Sequence, residues 1–171
     1  MNTTYLVALL VSFGACVTDV RSRRIPNVLT LGASASAMAF HTLNGHGPGL
    51  LLSVEGWFVG AAIFFVPFAL GGLGAGDVKL LAALGAWVGP TDALWIAMYT
   101  GIAGGILALV VASFTGYLGQ ALSNIWLLLS HWRVAGLRPL SEVSLEGSRG
   151  PRLAYAIPIF AGLLVNVWLR S

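Results

Sequence analysis

The sequence predicts an all-α, polytopic membrane bundle of six transmembrane helices with its N-terminus outside. Three observations predict it. Of 171 residues, 57% are hydrophobic and only 9% charged, with a mean hydropathy of +0.87. A soluble domain carries about 25% charged residues, so nine Lys plus Arg and six Asp plus Glu cannot clothe a water-exposed surface. Next, the apolar residues fall into runs separated by turn segments. One span takes roughly 20 apolar residues, so the length allows about six or seven spans and no sizeable soluble domain beside them. Residues 1–171 therefore read as a single transmembrane domain. Finally, the basic residues sit in short clusters between the runs, the pattern of a topology signal.

The first run extends from about Tyr5 to Val20 and ends at Arg21, Arg23 and Arg24. Pro26 and Asn27 open a second run to about Leu43, with Pro26 placed in the first helical turn, where its missing N–H costs nothing. This run is rich in Gly, Ala and Ser, which suit close helix contact in lipid. Asn44 to Gly49 is a turn segment. The third run, from about Leu50 to Leu70, dissolves into Gly71-Gly72-Leu73-Gly74-Ala75-Gly76. Asp77 to Trp87 reads as a short fourth helix closed by Gly89-Pro90. A fifth run, from Ala93 to about Leu129, is too long for one ordinary span. Of two readings, one long helix projecting beyond the membrane is preferred to two segments hinged near Gly116 and Gly119. Gln120 and Asn124 share a face there by spacing. Residues 131–152 are polar and basic, and a last run covers about Leu153 to Leu169.

The positive-inside rule orients this bundle. With the N-terminus outside and six spans, eight of the nine basic residues fall inside and only Arg170 lies outside. A seventh span would move the 131–152 cluster to the wrong face. The pI near 9.5 thus reads as topology and not as nucleic-acid binding. Cys16 is the only cysteine, which excludes a disulfide framework and a cysteine-clustered zinc site. It follows Phe13-Gly14-Ala15, but no basic residue precedes the first run, so that segment reads as a retained helix and not a cleaved signal. His41, His46 and His131 have no partner at ligand spacing, so neither a metal nor a cofactor is expected.

Chemistry concentrates on two aspartates. Asp19 ends the first helix and Asp77 begins the fourth, so both lie at the inner membrane edge although remote in sequence. Carboxylates near hydrocarbon face the bundle interior or a wet cavity, and two at one depth can share a site. Close like charges cannot both ionise easily, so such a pair holds one proton. The ionised member then deprotonates water while the protonated one polarises a peptide carbonyl. The bland alternatives are a helix N-cap for Asp77 and a surface carboxylate near Arg21 and Arg23 for Asp19. Against them stand the matched depth and the scarcity of other inner-face carboxylates, Glu142 and Glu146 alone. Gly74-Ala75-Gly76 before Asp77 leaves little side-chain bulk, so an extended substrate backbone can approach.

These residues resemble the type IV prepilin peptidases of the GxGD aspartic protease class. Asp19-Val-Arg-Ser-Arg-Arg24-Ile25-Pro26-Asn27 is similar to the family's Asp…Arg-x-Ile-Pro-Asn pattern, with Arg24 here directly before Ile25. Gly74-Ala-Gly76-Asp77-Val-Lys79-Leu80 through Gly89 is a close match. A looser block runs from Pro151 to Gly162, where the family often has proline before the aromatic residue and this chain has Ala154-Tyr155. The resemblance implies catalysis by Asp19 and Asp77, with Gly74, Gly76, Lys79, Arg24, Pro26 and Asn27 in support. It implies a bacterial inner-membrane endopeptidase, working at the cytoplasmic face, that removes basic leader peptides from prepilins and pilin-like subunits. Longer members carry a Cys-x-x-Cys insert and methylate the new N-terminus. The single cysteine makes this chain resemble the short form of tight-adherence (Flp-type) pili, without methyltransferase activity.

Arg24 and Lys79 read as interfacial anchors that can also orient a carboxylate. Glu55, inside the third run near its outer end, reaches the outer interface or hydrogen-bonds within the bundle. Two rival functions share the composition: a small proton- or cation-coupled transporter, and a non-catalytic pilus-assembly subunit. An inverted repeat would favour the transporter, but the glycine-rich loop occurs once.

Overall fold

The computed structural model describes residues 2–116, 118–135 and 154–170, which form helices and no strand. The elements are α1 (Thr3–Ser22), α2 (Asn27–Ala69), α3 (Ala75–Val88), α4 (Pro90–Phe114), α5 (Leu118–Ala135) and α6 (Ala156–Arg170). Arg138, Arg149 and Arg152, with Glu142, Glu146 and Pro151, lie outside the described residues. Three helices, α1, α2 and α4, are long and apolar enough to cross a membrane, and α6 is a shorter apolar helix. Their outward side chains include Leu10, Phe13, Val28, Leu31, Phe58, Phe65, Ile102 and Ile106, all more than half exposed. Such a surface suits lipid and not water.

The second and third apolar runs appear as one element, α2, of 43 residues, but its backbone leaves helical values at His46 (φ 52°, ψ −139°). The chain reverses there. His41 Nε2 meets the Trp87 carbonyl at 3.1 Å, and Ser53 Oγ donates to the Ala86 carbonyl at 2.9 Å. Residues 41 and 53 thus lie at one level, whereas an unbroken helix would part them by about 18 Å. The predicted turn at 44–49 is therefore a helical corner. Pro48 lies just beyond it, where a helix start tolerates proline.

α3 is the core of the bundle. Buried residues run from Leu80 to Trp87 without interruption, so no face of this helix is left for lipid. It lies parallel to the first arm of α2 and antiparallel to the second. The second arm approaches through a small-residue seam, Ser53, Gly56 and Gly60. A Cβ on Gly56 would strike the Gly85 carbonyl, and one on Gly60 would lie 2.9 Å from the Leu81 carbonyl carbon. This is the small-xxx-small contact of membrane helices. It sits in the third run, one run later than the small residues first noted.

The fifth run is two helices, which corrects the preference for one long helix. α4 ends at Phe114, and Gly116 takes φ 68°, a value that glycine adopts freely. Gln120 and Asn124 do bond on one face of α5, at 3.1 Å. At the end of the bundle away from Asp19, buried Asp92 accepts a hydrogen bond from Tyr5 and pairs with Arg170. That clip joins α1, α4 and α6, and the sequence reading passed over Asp92. Glu55 is exposed and neighbours Gly56, which packs on Gly85 and Gly89. It therefore stands at the same level as the α3–α4 junction.

Candidate active site

α1 ends in a left-handed residue, Arg23 (φ 54°), whose N–H donates to the Asp19 carbonyl. The chain then turns through Arg24-Ile25 to Pro26, which caps α2 at φ −63°, ψ 135°. Pro26 thus stands just before the helix and not within its first turn. Its carbonyl accepts the Leu29 N–H at 3.1 Å, the start of the α2 ladder.

Asp77 is not an N-cap. Gly74 caps α3, and Asp77 is its third residue. The two are joined reciprocally: the Asp77 N–H donates to the Gly74 carbonyl at 3.1 Å, and the Gly74 N–H donates to Asp77 Oδ2 at 3.1 Å. The second bond is the N3 side-chain half of a capping box, and it fixes one carboxylate oxygen. Asp19 is fixed in the same way from another helix, since the Ala156 N–H, the first of α6, donates to Asp19 Oδ2 at 3.2 Å. One turn along α1, Cys16 Sγ donates to the Ala156 carbonyl at 3.0 Å. Each aspartate is 8% exposed.

Both carboxylates line one cavity of about 400 Å³, together with Arg23, Arg24, Ile25, Pro26, Asn27, Gly74, Ala75, Gly76 and Lys79. Every residue that the sequence singled out for the site is therefore in one place. Lys79 Nζ donates to Asn27 Oδ1 at 2.9 Å, tying the first turns of α3 and α2 at the cavity rim. Two carboxylates in such a cavity can divide acid and base roles over a single water.

The glycines have local reasons beyond substrate access. A Cβ on Gly74 would lie 3.2 Å from Asp77 Oδ2, and one on Gly76 would lie 3.2 Å from Ile25 Cβ. Gly74 leaves room for the carboxylate, and Gly76 lets the two aspartate-bearing blocks touch. What sequence reasoning missed is the contribution of α6. Its Ala156 acts through a backbone N–H, for which no side-chain pattern exists. Tyr155 beside it packs edge-on against Phe64, with ring centroids 6.2 Å apart. Gly104 makes room for the Tyr155 hydroxyl, 2.7 Å from where a Cβ would sit. Among the described residues, no three His, Cys, Asp or Glu side chains group as metal ligands do.

Residues 6–116 match the model of the type IV leader peptidase family, a stretch that contains both aspartates and every residue of the cavity. No curated protein and no solved structure matches the chain. The match covers more than half of the chain, and the chain belongs to the type IV leader peptidase family.

Proposed function

We propose that this chain is a membrane aspartic endopeptidase that removes the cytoplasmic leader from type IV, Flp-like prepilins and pilin-like subunits. Asp19 and Asp77 share one proton, activate a water and polarise the scissile carbonyl. The observation that carries this reading is the meeting of two buried carboxylates, from helices remote in sequence, in one cavity with all six supporting residues. A prepilin presents a basic leader just before its apolar helix, so a dyad at the membrane edge reaches the bond without unwinding a spanning helix. The chain crosses the bacterial inner membrane six times in this proposal: α1, both arms of α2, α3, α4 and α6. Its N-terminus is outside and its site faces the cytoplasm, the side marked by Arg21, Arg23, Arg24 and Lys79.

Asp77 accepts the Gly74 N–H at the start of α3 and Asp19 accepts the Ala156 N–H at the start of α6, so the contacts single out neither aspartate as the base. The pair is best treated as a unit. Co-expression with a candidate prepilin tests the proposal. Asp19→Asn and Asp77→Asn should each abolish leader removal while the protein inserts normally. Full processing by either variant would end the dyad mechanism, and ion-dependent flux without cleavage would establish a transporter instead.

A further inference from the structure

α6 is anchored at both ends by polar contacts, and the two anchors lie on opposite sides of the bundle. At its start, Ala156 donates to Asp19 and accepts from Cys16. At its end, Arg170 pairs with Asp92, whose other oxygen accepts from Tyr5. Between them, Gly162 lies against α4 so closely that a Cβ would sit 2.7 Å from the Thr100 amide nitrogen and 2.9 Å from the Ile96 carbonyl oxygen. The helix has 15 residues, so its anchors stand about 21 Å apart along a rigid rod. Sliding or rotating that rod carries the Ala156 N–H away from Asp19, because a helix moves as one body while its internal bonds stay intact.

We infer that the Tyr5–Asp92–Arg170 clip is a positioning device for Asp19: it sets the register of α6 from the far side of the membrane and thereby holds the Ala156 N–H on the Asp19 carboxylate. The inference rests on the proposed role of Asp19 but makes a separate structural claim. Asp92 suits the task because it is only 5% exposed, and a buried charge binds its partner tightly or strands it at high cost. Arg170 suits it because its cation meets the one Asp92 oxygen that Tyr5 leaves open. No residue of the clip reaches the cavity, so it acts through α6 alone.

The test uses the full-length protein in lipid nanodiscs and a synthetic peptide with a basic leader, a glycine and an apolar helix. In Arg170→Gln and Asp92→Asn, kcat should fall about tenfold with KM within twofold, because Asp19 is misplaced and substrate contacts are not. Arg170→Lys should recover most of the rate. Tyr5→Phe, which leaves the ion pair in place, should give an intermediate loss and serves if the charge variants fold poorly. Hydrogen exchange provides the reading that a merely stabilising clip would not move. The Ala156 amide should exchange at least tenfold faster in Arg170→Gln, while the Ile159 amide, bonded to the carbonyl of Tyr155 just before α6 at 3.3 Å, should keep its protection. Equal acceleration at both amides, or no change at Ala156, would overturn the inference. If the wild-type protein failed to cleave the peptide, the peptidase assignment would be in question, while the Ala156 exchange would still decide the register claim.

Discussion

Replacing Gly76 by alanine is the sharpest probe of how the two aspartate blocks meet. The new Cβ would lie 3.2 Å from Ile25 Cβ, 3.5 Å from its Cγ1 and 3.6 Å from its Cδ1. Carbon atoms prefer about 3.5–4.0 Å, so Ile25 must retreat by about 0.3–0.8 Å. The nearest atom is Ile25 Cβ, which no rotamer change can move, so the backbone between α1 and α2 has to shift. That backbone leads out of the turn bearing Asp19. Overpacking of this size costs about 1 kcal/mol, the low end of the usual range. A misplacement of 1 Å costs about 100-fold in rate, so half of that predicts a fall of about tenfold. Initial rates of leader removal by purified Gly76→Ala in nanodiscs, beside its unfolding midpoint, measure both effects. The double variant Gly76→Ala/Ile25→Val removes only the Cδ1 contact and should stay slow. Wild-type rate in the single variant, or recovery in the double one, would refute the backbone-coupling argument.

Gly85→Ala would force its Cβ onto the Gly56 carbonyl and within 3.1 Å of the Ala93 Cβ, parting α2 from α3. It should lower stability by about 2–3 kcal/mol, read as an earlier midpoint in detergent-induced unfolding; an unchanged midpoint would mean the seam is loose. Ser53→Ala removes a buried bond to the Ala86 carbonyl. Such interhelical bonds in membranes average about 0.6 kcal/mol, so the same titration should move by that small amount and no more. Lys79→Met breaks an exposed bond to Asn27 and should slow cleavage by less than about threefold, equivalent to about 0.6 kcal/mol. A total loss of rate would give Lys79 a direct part in the chemistry.

The candidate site was legible in the sequence because it is written in charged side chains that are rare in so apolar a chain. Asp19 and Asp77 stood out against an apolar background, and the runs between them put both at one edge. Gly74, Gly76, Pro26 and Asn27 followed as backbone punctuation beside them. The α2 corner was legible from Asn44 to Gly49, although not its helical form, since glycine and proline mark a break without fixing its geometry. The split of the fifth run was legible only as the less preferred of two readings. Gly116 only permits a positive φ, and hydropathy continues unbroken across it. Asp92 was passed over because Gly89-Pro90-Thr91-Asp92 reads as an ordinary polar helix start, and its burial depends on Tyr5 and Arg170 arriving from opposite ends of the chain. Ala156 leaves no trace at all, since every residue but proline has an N–H.

The dyad test itself depends on whether an asparagine variant keeps its fold, and the geometry supplies the magnitude. In Asp77→Asn the amide oxygen can still accept the Gly74 N–H now bound at 3.1 Å by the carboxylate. A bond to a charged acceptor is worth about 1.5–3 kcal/mol and a neutral one about 0.5–1.5, so the cap weakens by about 1 kcal/mol. Against that loss, the substitution removes a carboxyl group that is 8% exposed and shares its cavity with a second carboxyl group, and both features oppose folding. The balance should leave stability within about 1 kcal/mol of the wild type. Asp19→Asn keeps an acceptor for the Ala156 N–H by the same reasoning. Detergent-induced unfolding of both variants measures this directly. A loss above about 2 kcal/mol in Asp77→Asn would exceed what the cap alone can explain. The charge would then be part of the scaffold of α3, and the disappearance of cleavage in that variant would no longer speak for catalysis.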